Sequence, residues 1–326
     1  MRLAVALLIT AFAALTVWGQ APTLRIVTEI PNLPSDLYYG NIKVKPLRLR
    51  PGTNTPITIN DSDFFVNQQY VDFLSRFPDQ DGLDFWVSKT IPTPCGSDQD
   101  CIQTRRDNTS GAFFLSIEFQ ETGYLVERMY KAAYGDATGL SMIGEPAGGP
   151  PHSIPVPIIR RSDFLPDTLQ VSKGVMVGIG NWQAVLESNK VAFANDFVSR
   201  ARFTTAYPAG MPAPQFVHTL NTNAGNPLSP SDETQLATLL GSGAKTRAEV
   251  VRAVAEDPDL ASAEKNKAFV LMQYIGYLRR DPNTGPDTDY SGYEFWLQKL
   301  DSHGGDFHAA QMVRAFIVSG EYLNRF

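Results

Sequence analysis

The chain has two cysteines and four histidines in 326 residues, and that scarcity closes several classes of chemistry. The histidines are His152, His218, His303 and His308. No H-E-x-x-H is present to place two imidazoles on one helical turn, so a helix-borne zinc site is excluded. His303, Asp306 and His308 crowd together in "DSHGGDFHAAQ", which reads as a surface loop. Excess positive charge is missing as well: 28 Lys and Arg stand against 34 Asp and Glu, a net charge of -6. A nucleic-acid binder would carry a basic stripe, so no nucleic acid is expected as a partner. There is no G-x-S-x-G elbow, no phosphate-cradling loop and no dinucleotide fingerprint; "GVMVGIGNW" has glycines at the wrong spacing. Nothing in the sequence implies a cofactor. Beyond the first 20 or so residues, no run is long and apolar enough for a membrane span.

The one long apolar run opens the chain. "MRLAVALLITAFAALTVWGQAPT" has an early cation, Arg2, an apolar stretch from Leu3 to Trp18 and then small residues. This is the layout of a secretory signal peptide, with cleavage expected after Ala21 and Gly19 as the alternative. An uncleaved anchor would need ~20 apolar residues. The protein is therefore expected outside the cytoplasm, in the periplasm or at the cell surface, with no membrane span once the leader is removed. In an exported chain the close pair Cys95 and Cys101, in "CGSDQDC", predicts a disulfide. The rival reading, a metal site, needs further ligands, and no His lies near.

From Leu24 to Asn60, "LRIVTEI", "IKVKPLRL" and "TPITIN" are β-branched and partly alternating, which signals strands. Helical spacing then takes over: Phe65, Tyr70, Phe73, Leu74 and Phe77 share a face, Pro78 stops the helix, and Leu83, Phe85 and Trp86 begin a second. A third helix starts near "SGAFFLSIEFQETGY". The pattern then repeats. First-helix elements begin at Phe65, Tyr124, Phe216 and Phe269, and third-helix elements at Phe113, Phe197, Val251 and Ala315. The expected fold is mainly α: repeated three-helix units forming a helical body, after a short N-terminal β segment. The expected boundaries are a signal peptide at 1–21 and a β-rich segment at 22–62. Two helical repeat regions at 63–146 and 176–326 flank a Pro/Gly-rich loop and connection at 147–175.

"QQYVDFLSRFPDQDGLDFW", "AFFLSIEFQETGYLVERMYKAAYG" and "FVLMQYIGYLRRDPN…GYEFWLQKL…MVRAFIVSGEYLNRF" carry a resemblance to a known family. From about Phe64 to Phe326 the chain resembles the bacterial domain-of-unknown-function family 4214, a helical module of exported and surface-associated proteins. The resemblance implies an all-helical extracytoplasmic module and transfers no catalytic residues. The chain departs from the pattern by the insertion "TGPDTDYS" in the fourth repeat and by lacking Phe-Trp in the second and third.

Three sets of residues could carry more. The pairs Phe85-Trp86 and Phe295-Trp296 could form a sugar-stacking platform, but aromatics recurring on amphipathic helices predict core. Asp287, Asp289 and Ser291 match the first half of a calcium loop, D-x-D-x-S-G. The twelfth position from Asp287 is Gln298, where a bidentate Glu is needed, so no metal is assigned. Finally, the first and fourth repeats each join an Arg at the end of the first helix to a Ser-x-Glu in the third. This suggests the structural ion pairs Arg76 with Glu118 and Arg280 with Glu321. The function expected is a structural or interaction role at the bacterial cell envelope, without catalysis, and another envelope or extracellular protein is the expected kind of partner. The alternatives are a calcium- or carbohydrate-binding surface module, or a secreted hydrolase drawing its carboxylates from Asp79, Asp81, Glu118, Asp289 and Glu321.

Overall fold

A computed structural model describes residues 23–28, 33–143 and 150–326, with the side chain of Pro46 excepted. The leader expected at 1–21 lies outside the described residues, as does the stretch 144–149. The chain divides into two units, Met1–Pro56 and Ile57–Phe326.

In the N-terminal unit the alternating segments form an antiparallel meander of β1 (Leu24–Val27), β2 (Ser35–Tyr39) and β3 (Ile42–Leu49). Gly40 at φ 60 makes the turn that sets Tyr39 opposite Ile42. Asp36 is buried and takes an ion pair from Lys43 at 2.5 Å and another from Arg48 at 3.0 Å.

The second unit is the helical body, and its four repeats share two backbone devices. Each first helix ends just before a left-handed residue. Ser62–Gln69 runs through a π-turn, Tyr70–Leu74, to Ser75 at φ 54. Gly123–Tyr134 ends at Gly135, φ 71, and Ala213–Asn223 is followed by Gly225, φ 88. Pro258–Met272 runs through a second π-turn, Gln273–Leu278, to Arg279 at φ 59. Glycine adopts this conformation without strain, whereas Ser75 and Arg279 are tolerated only because surrounding contacts hold them there. The second device is an extended residue within or just after each third helix, which caps the helical segment that follows it. The caps are Ser116 (φ -64, ψ 146), Arg200 (φ -67, ψ 145), Asp257 (φ -62, ψ 131) and Ser319 (φ -64, ψ 147). Ser116 Oγ accepts from Phe119 N at 3.2 Å and Ser319 Oγ from Tyr322 N at 3.1 Å, which satisfies a free donor of the new helix. The breaks at Ser116, Arg200 and Ser319 each precede a short helical segment, whereas Asp257 separates the third helix of the third repeat, Arg247–Ala255, from the first helix of the fourth.

The core is one aromatic-rich cluster running through all four repeats. The first and fourth repeats pack directly on each other. Phe114 stacks on Phe269 with ring centroids 4.1 Å apart, Phe73 meets Tyr277 edge-on at 5.2 Å, and Phe64 meets Phe326 at 5.3 Å.

Two expectations need correction. The span 147–175 is not a loop in its described part. His152–Pro157 pairs antiparallel with Asp136–Ser141, and Arg161–Ser172 is a helix. Pro155 and Pro157 are tolerated because a two-stranded ribbon leaves one side of each strand without ladder partners. The hairpin is pinned to the second helix of the fourth repeat, Ser291–Ser302: Tyr290 N donates to Leu140 O at 2.8 Å and Met142 N to Ser291 Oγ at 2.8 Å. The second correction concerns Phe85 and Phe295, which are 53% and 46% exposed and are not core. Trp86 and Trp296 are half-buried and pack on the core. Adjacent residues on a helix point about 100° apart, so Leu83, Trp86, Val87 and Thr90 share the inner stripe and Phe85 falls outside it.

Candidate functional site

In the first repeat the two helical devices and the turn between them enclose a cleft of about 390 Å³. Its floor is aromatic. Tyr70, from the π-turn, lies edge-on to Phe113 at 4.8 Å, and Trp86, from Gln80–Thr90, lies 5.3 Å from the same ring. Its polar wall is Arg76 and Glu118. Arg76 Nε donates to Glu118 Oε1 at 2.6 Å and Nη2 to Oε2 at 2.7 Å, a two-pronged bond to a carboxylate only 4% exposed. Arg76 also lies over the Tyr70 ring at 4.9 Å. Burial alone would lower the Arg76 guanidinium, but the bond and charge of Glu118 outweigh it and the net shift is upward. Burial is the main force pushing the Tyr70 phenol up. Asp79 caps the second helix by accepting from Gly82 N at 2.8 Å. Asp81, Ile117 and the segment Val177–Ile179 form the rim.

The fourth repeat rebuilds the same constellation. Tyr274 meets Phe316 at 5.1 Å, Trp296 meets Phe316 at 5.5 Å, and Arg280 lies over Tyr274 at 5.2 Å. Arg280 Nε donates to Glu321 Oε1 at 2.6 Å and Nη2 to Oε2 at 3.1 Å. Each repeat also needs a glycine where the second helix begins. A Cβ at Gly82 would stand 2.5 Å from Tyr70 Oη, and one at Gly292 would stand 2.5 Å from Tyr274 Oη. The G-x-x-F-W signature thus carries a steric requirement: the tyrosine hydroxyl occupies the space of the missing side chain.

The calcium reading fares differently. Asp287 Oδ2 accepts from Arg280 Nη2 at 2.6 Å, Asp289 Oδ1 accepts from Ser291 N at 2.8 Å, and Ser291 Oγ accepts from Met142 N at 2.8 Å. The three polar ends are spent on separate partners instead of converging. Among the described residues no group of three or more His, Cys, Asp or Glu is arranged to hold a metal ion. Cys95 and Cys101 are bonded to each other with Cα atoms 5.6 Å apart. They fasten the short turn at Thr93–Cys95 to the start of the helix Gln99–Leu115, whose cap is Asp98.

Two buried charge clusters escaped the sequence reading. Asp72, with no exposed side-chain surface, accepts from Gln68 Nε2 at 2.6 Å and Arg279 Nη2 at 2.5 Å. It also takes both ends of Arg325, Nη1 to Oδ2 at 2.8 Å and Nη2 to Oδ1 at 2.9 Å. This carboxylate of the first repeat pairs with two arginines of the fourth, one of them the strained Arg279. The position matching Asp72 in the fourth repeat is Gly276, and the space above its Cα faces the Asp72 carbonyl oxygen at 3.6 Å. The second cluster joins Glu127 and Glu264 between the first helices of the second and fourth repeats, with Arg128, Lys131 and Lys267 around them. Lys267 Nζ lies 2.8 Å from Glu264 Oε1, and Lys131 Nζ lies 3.6 Å from the same oxygen. Glu127 Oε2 is buried without a hydrogen-bond partner among the described residues. Desolvation, reinforced by the charge of Glu264, pushes the Glu127 carboxyl well above the ordinary carboxylate range. A mid-helix Asp or Glu reads in sequence as a solvated position. The only signal for Asp72 was the Asp-to-Gly difference at matching positions of an otherwise close repeat.

No described helix is long and apolar enough to cross a membrane. No family model matches the chain, and neither a curated protein nor a solved structure matches it.

Proposed function

We propose that this is an exported, non-enzymatic helical repeat protein with a structural or interaction role at the bacterial cell envelope. We propose also that its helical body is of the kind found in domain-of-unknown-function family 4214. The observation that carries the reading is the state of Glu118. It is the buried carboxylate of the cleft, and both its oxygens are tied to Arg76. A carboxylate held two-pronged by a guanidinium is less available to exchange a proton with a substrate. The leader-like N-terminus and the bonded cysteine pair favour an oxidising, extracytoplasmic setting. The test is to assay the full chain against glycosides, esters and peptides beside Glu118→Gln. The expected result is no turnover and a lower melting temperature for the variant. Turnover that Glu118→Gln abolishes at unchanged melting temperature would overturn the proposal in favour of a carboxylate-dependent hydrolase. A second reading, carbohydrate binding, is favoured by the exposure of Phe85 and Phe295. It would show as loss of oligosaccharide retention in a Phe85→Ala, Phe295→Ala double variant that melts normally.

A further inference from the structure

The first and fourth repeats share one constellation, but they differ in what lies over it. In the first repeat Gly82 follows the turn proline, Pro78, by four positions; in the fourth, Gly292 follows Pro282 by ten. The six additional residues fold back onto Arg280. Arg280 Nη1 donates to Thr284 O at 2.7 Å and, more weakly, to Pro282 O at 3.2 Å and Asp281 O at 3.3 Å. Gly285, at φ 83, lies flat against the same side chain: a Cβ there would stand 2.9 Å from Arg280 Cδ. Asp287 then reaches back to Nη2. The fourth-repeat site is thus covered by a short, glycine-containing piece of its own backbone.

In the first repeat the turn is too short to reach. Arg76 Nη1 donates to Phe77 O at 3.0 Å, and Asp79 Oδ2 lies 3.9 Å from the same nitrogen, whereas Asp287 bonds Nη2 of Arg280 at 2.6 Å. Among the described residues Arg76 Nη1 bonds no carbonyl beyond that of Phe77, and Arg76 lines the cleft. Its rim is apolar on the open side: Ile117 is 57% and Ile179 46% exposed. We propose that this cleft is a docking site for an extended, glycine-containing polypeptide segment of a partner protein, which sets a main-chain carbonyl on Arg76 Nη1 as Thr284 does on Arg280. The charges around the cleft refine the occupant. Arg76 stands against Glu118, Asp79 and Asp81, so the surroundings are net negative. Asp79 and Asp81 in the lining disfavour an acidic occupant, so the segment is uncharged or basic. The carbonyl contact fixes its register, and the aromatic floor and the two isoleucines supply the apolar contact. This inference rests on the interaction reading above and names the chemistry of the partner.

The probe is the fourth repeat's own covering segment, an acetylated and amidated peptide of the sequence Pro-Asn-Thr-Gly-Pro, read by saturation-transfer NMR on the full chain. Two variants are read only after calorimetry shows that each still unfolds cooperatively. Arg76→Lys preserves a cation for Glu118 and removes the second guanidinium nitrogen. Ile117→Arg changes an exposed rim residue and blocks the mouth. The expected result is transfer to the threonine methyl and glycine protons with the parent protein, lost in Ile117→Arg and at least several-fold weaker in Arg76→Lys. A peptide with an added C-terminal lysine should bind more tightly than one with an added aspartate. No transfer with the parent, or equal transfer with both variants, overturns the proposal. Transfer from a neutral oligosaccharide and none from the peptide also overturns it and assigns the cleft to sugar. Failure here leaves the non-enzymatic reading standing, because that reading is decided by turnover and not by peptide binding.

Discussion

Asp72→Ala removes the acceptor that holds two arginines from separate elements of the fourth repeat. The carboxylate is wholly inaccessible, whereas the side chains of Arg279 and Arg325 are 28% and 16% exposed. Removing one partner of a buried ion pair costs ~3–5 kcal/mol, because the remaining charge is left desolvated. Arg279 can turn toward water, and Arg325 keeps a bond from Nη1 to Tyr277 O at 2.7 Å. The loss should therefore fall near the bottom of that range, about 3 kcal/mol. For a domain of this size each kcal/mol moves the midpoint by ~2–4 °C, so the melting temperature should drop by roughly 6–12 °C. Calorimetry gives this directly, and a double-mutant cycle with Arg325→Ala should show a clear coupling energy, since the two side chains share two hydrogen bonds. Raising salt from ~0.1 to ~1 M should change the difference little, because buried pairs are poorly screened. A loss under about 1 kcal/mol, or strict additivity in the cycle, would refute the argument that this carboxylate joins the two repeats.

Gly82→Ala should destabilise by ~1–3 kcal/mol, the range for overpacking a filled core, because the buried Tyr70 ring cannot withdraw its hydroxyl. Adding Tyr70→Phe should restore most of that loss in denaturant titrations, and no rescue would mean the clash lies elsewhere. Phe85→Ala should cost less than ~1 kcal/mol and Trp86→Ala about 3, from the exposure of one and the packing of the other. Equal costs would restore the reading of both as core. Glu127 has its folded-state value raised, so the stability it contributes is complete below the ordinary carboxylate range and is lost as pH rises through the raised value. Glu127→Gln, fixed in a neutral form, should match the parent in acid and melt increasingly above it as pH climbs; a gap independent of pH would refute the assignment.

The helical class and the short β segment were legible because both depend on periodicity, which survives in a single sequence. Arg76 and Glu118, 42 positions apart, stood out because the fourth repeat writes the same pair again at Arg280 and Glu321. Phe85 misled because a Phe-Trp dipeptide looks like one apolar block, although this surface helix buries a stripe that takes Trp86 and leaves Phe85 outside. The strand His152–Pro157 was hidden by its prolines, which usually punctuate chains but here occupy a ribbon with free sides. The π-turns at Tyr70 and Gln273 leave no mark in composition, since one residue of extra winding barely alters the spacing of apolar positions. The open cleft was not legible at all. It lies beside a turn six residues shorter than that of the fourth repeat, and only three-dimensional placement shows that the longer turn returns to its arginine.

The pairing of the first repeat with the fourth bears on how the body comes apart. Linear repeat arrays unravel from their ends, because a terminal unit touches one neighbour only. Here Asp72 and Arg325 are 253 positions apart and bonded, and Phe64 and Phe326 touch. A fragment stopping after Tyr134 would leave Phe64, Phe73 and Phe114 without the fourth-repeat rings that pack on them, so it should lack a stable folded state of its own. The amides around Asp72 and those around Tyr277 should therefore exchange with solvent together, in a single global opening, instead of in a graded series along the chain. Folding carries the same signature in time: contacts of such long sequence separation form late, and the body gains its protection in one slow step.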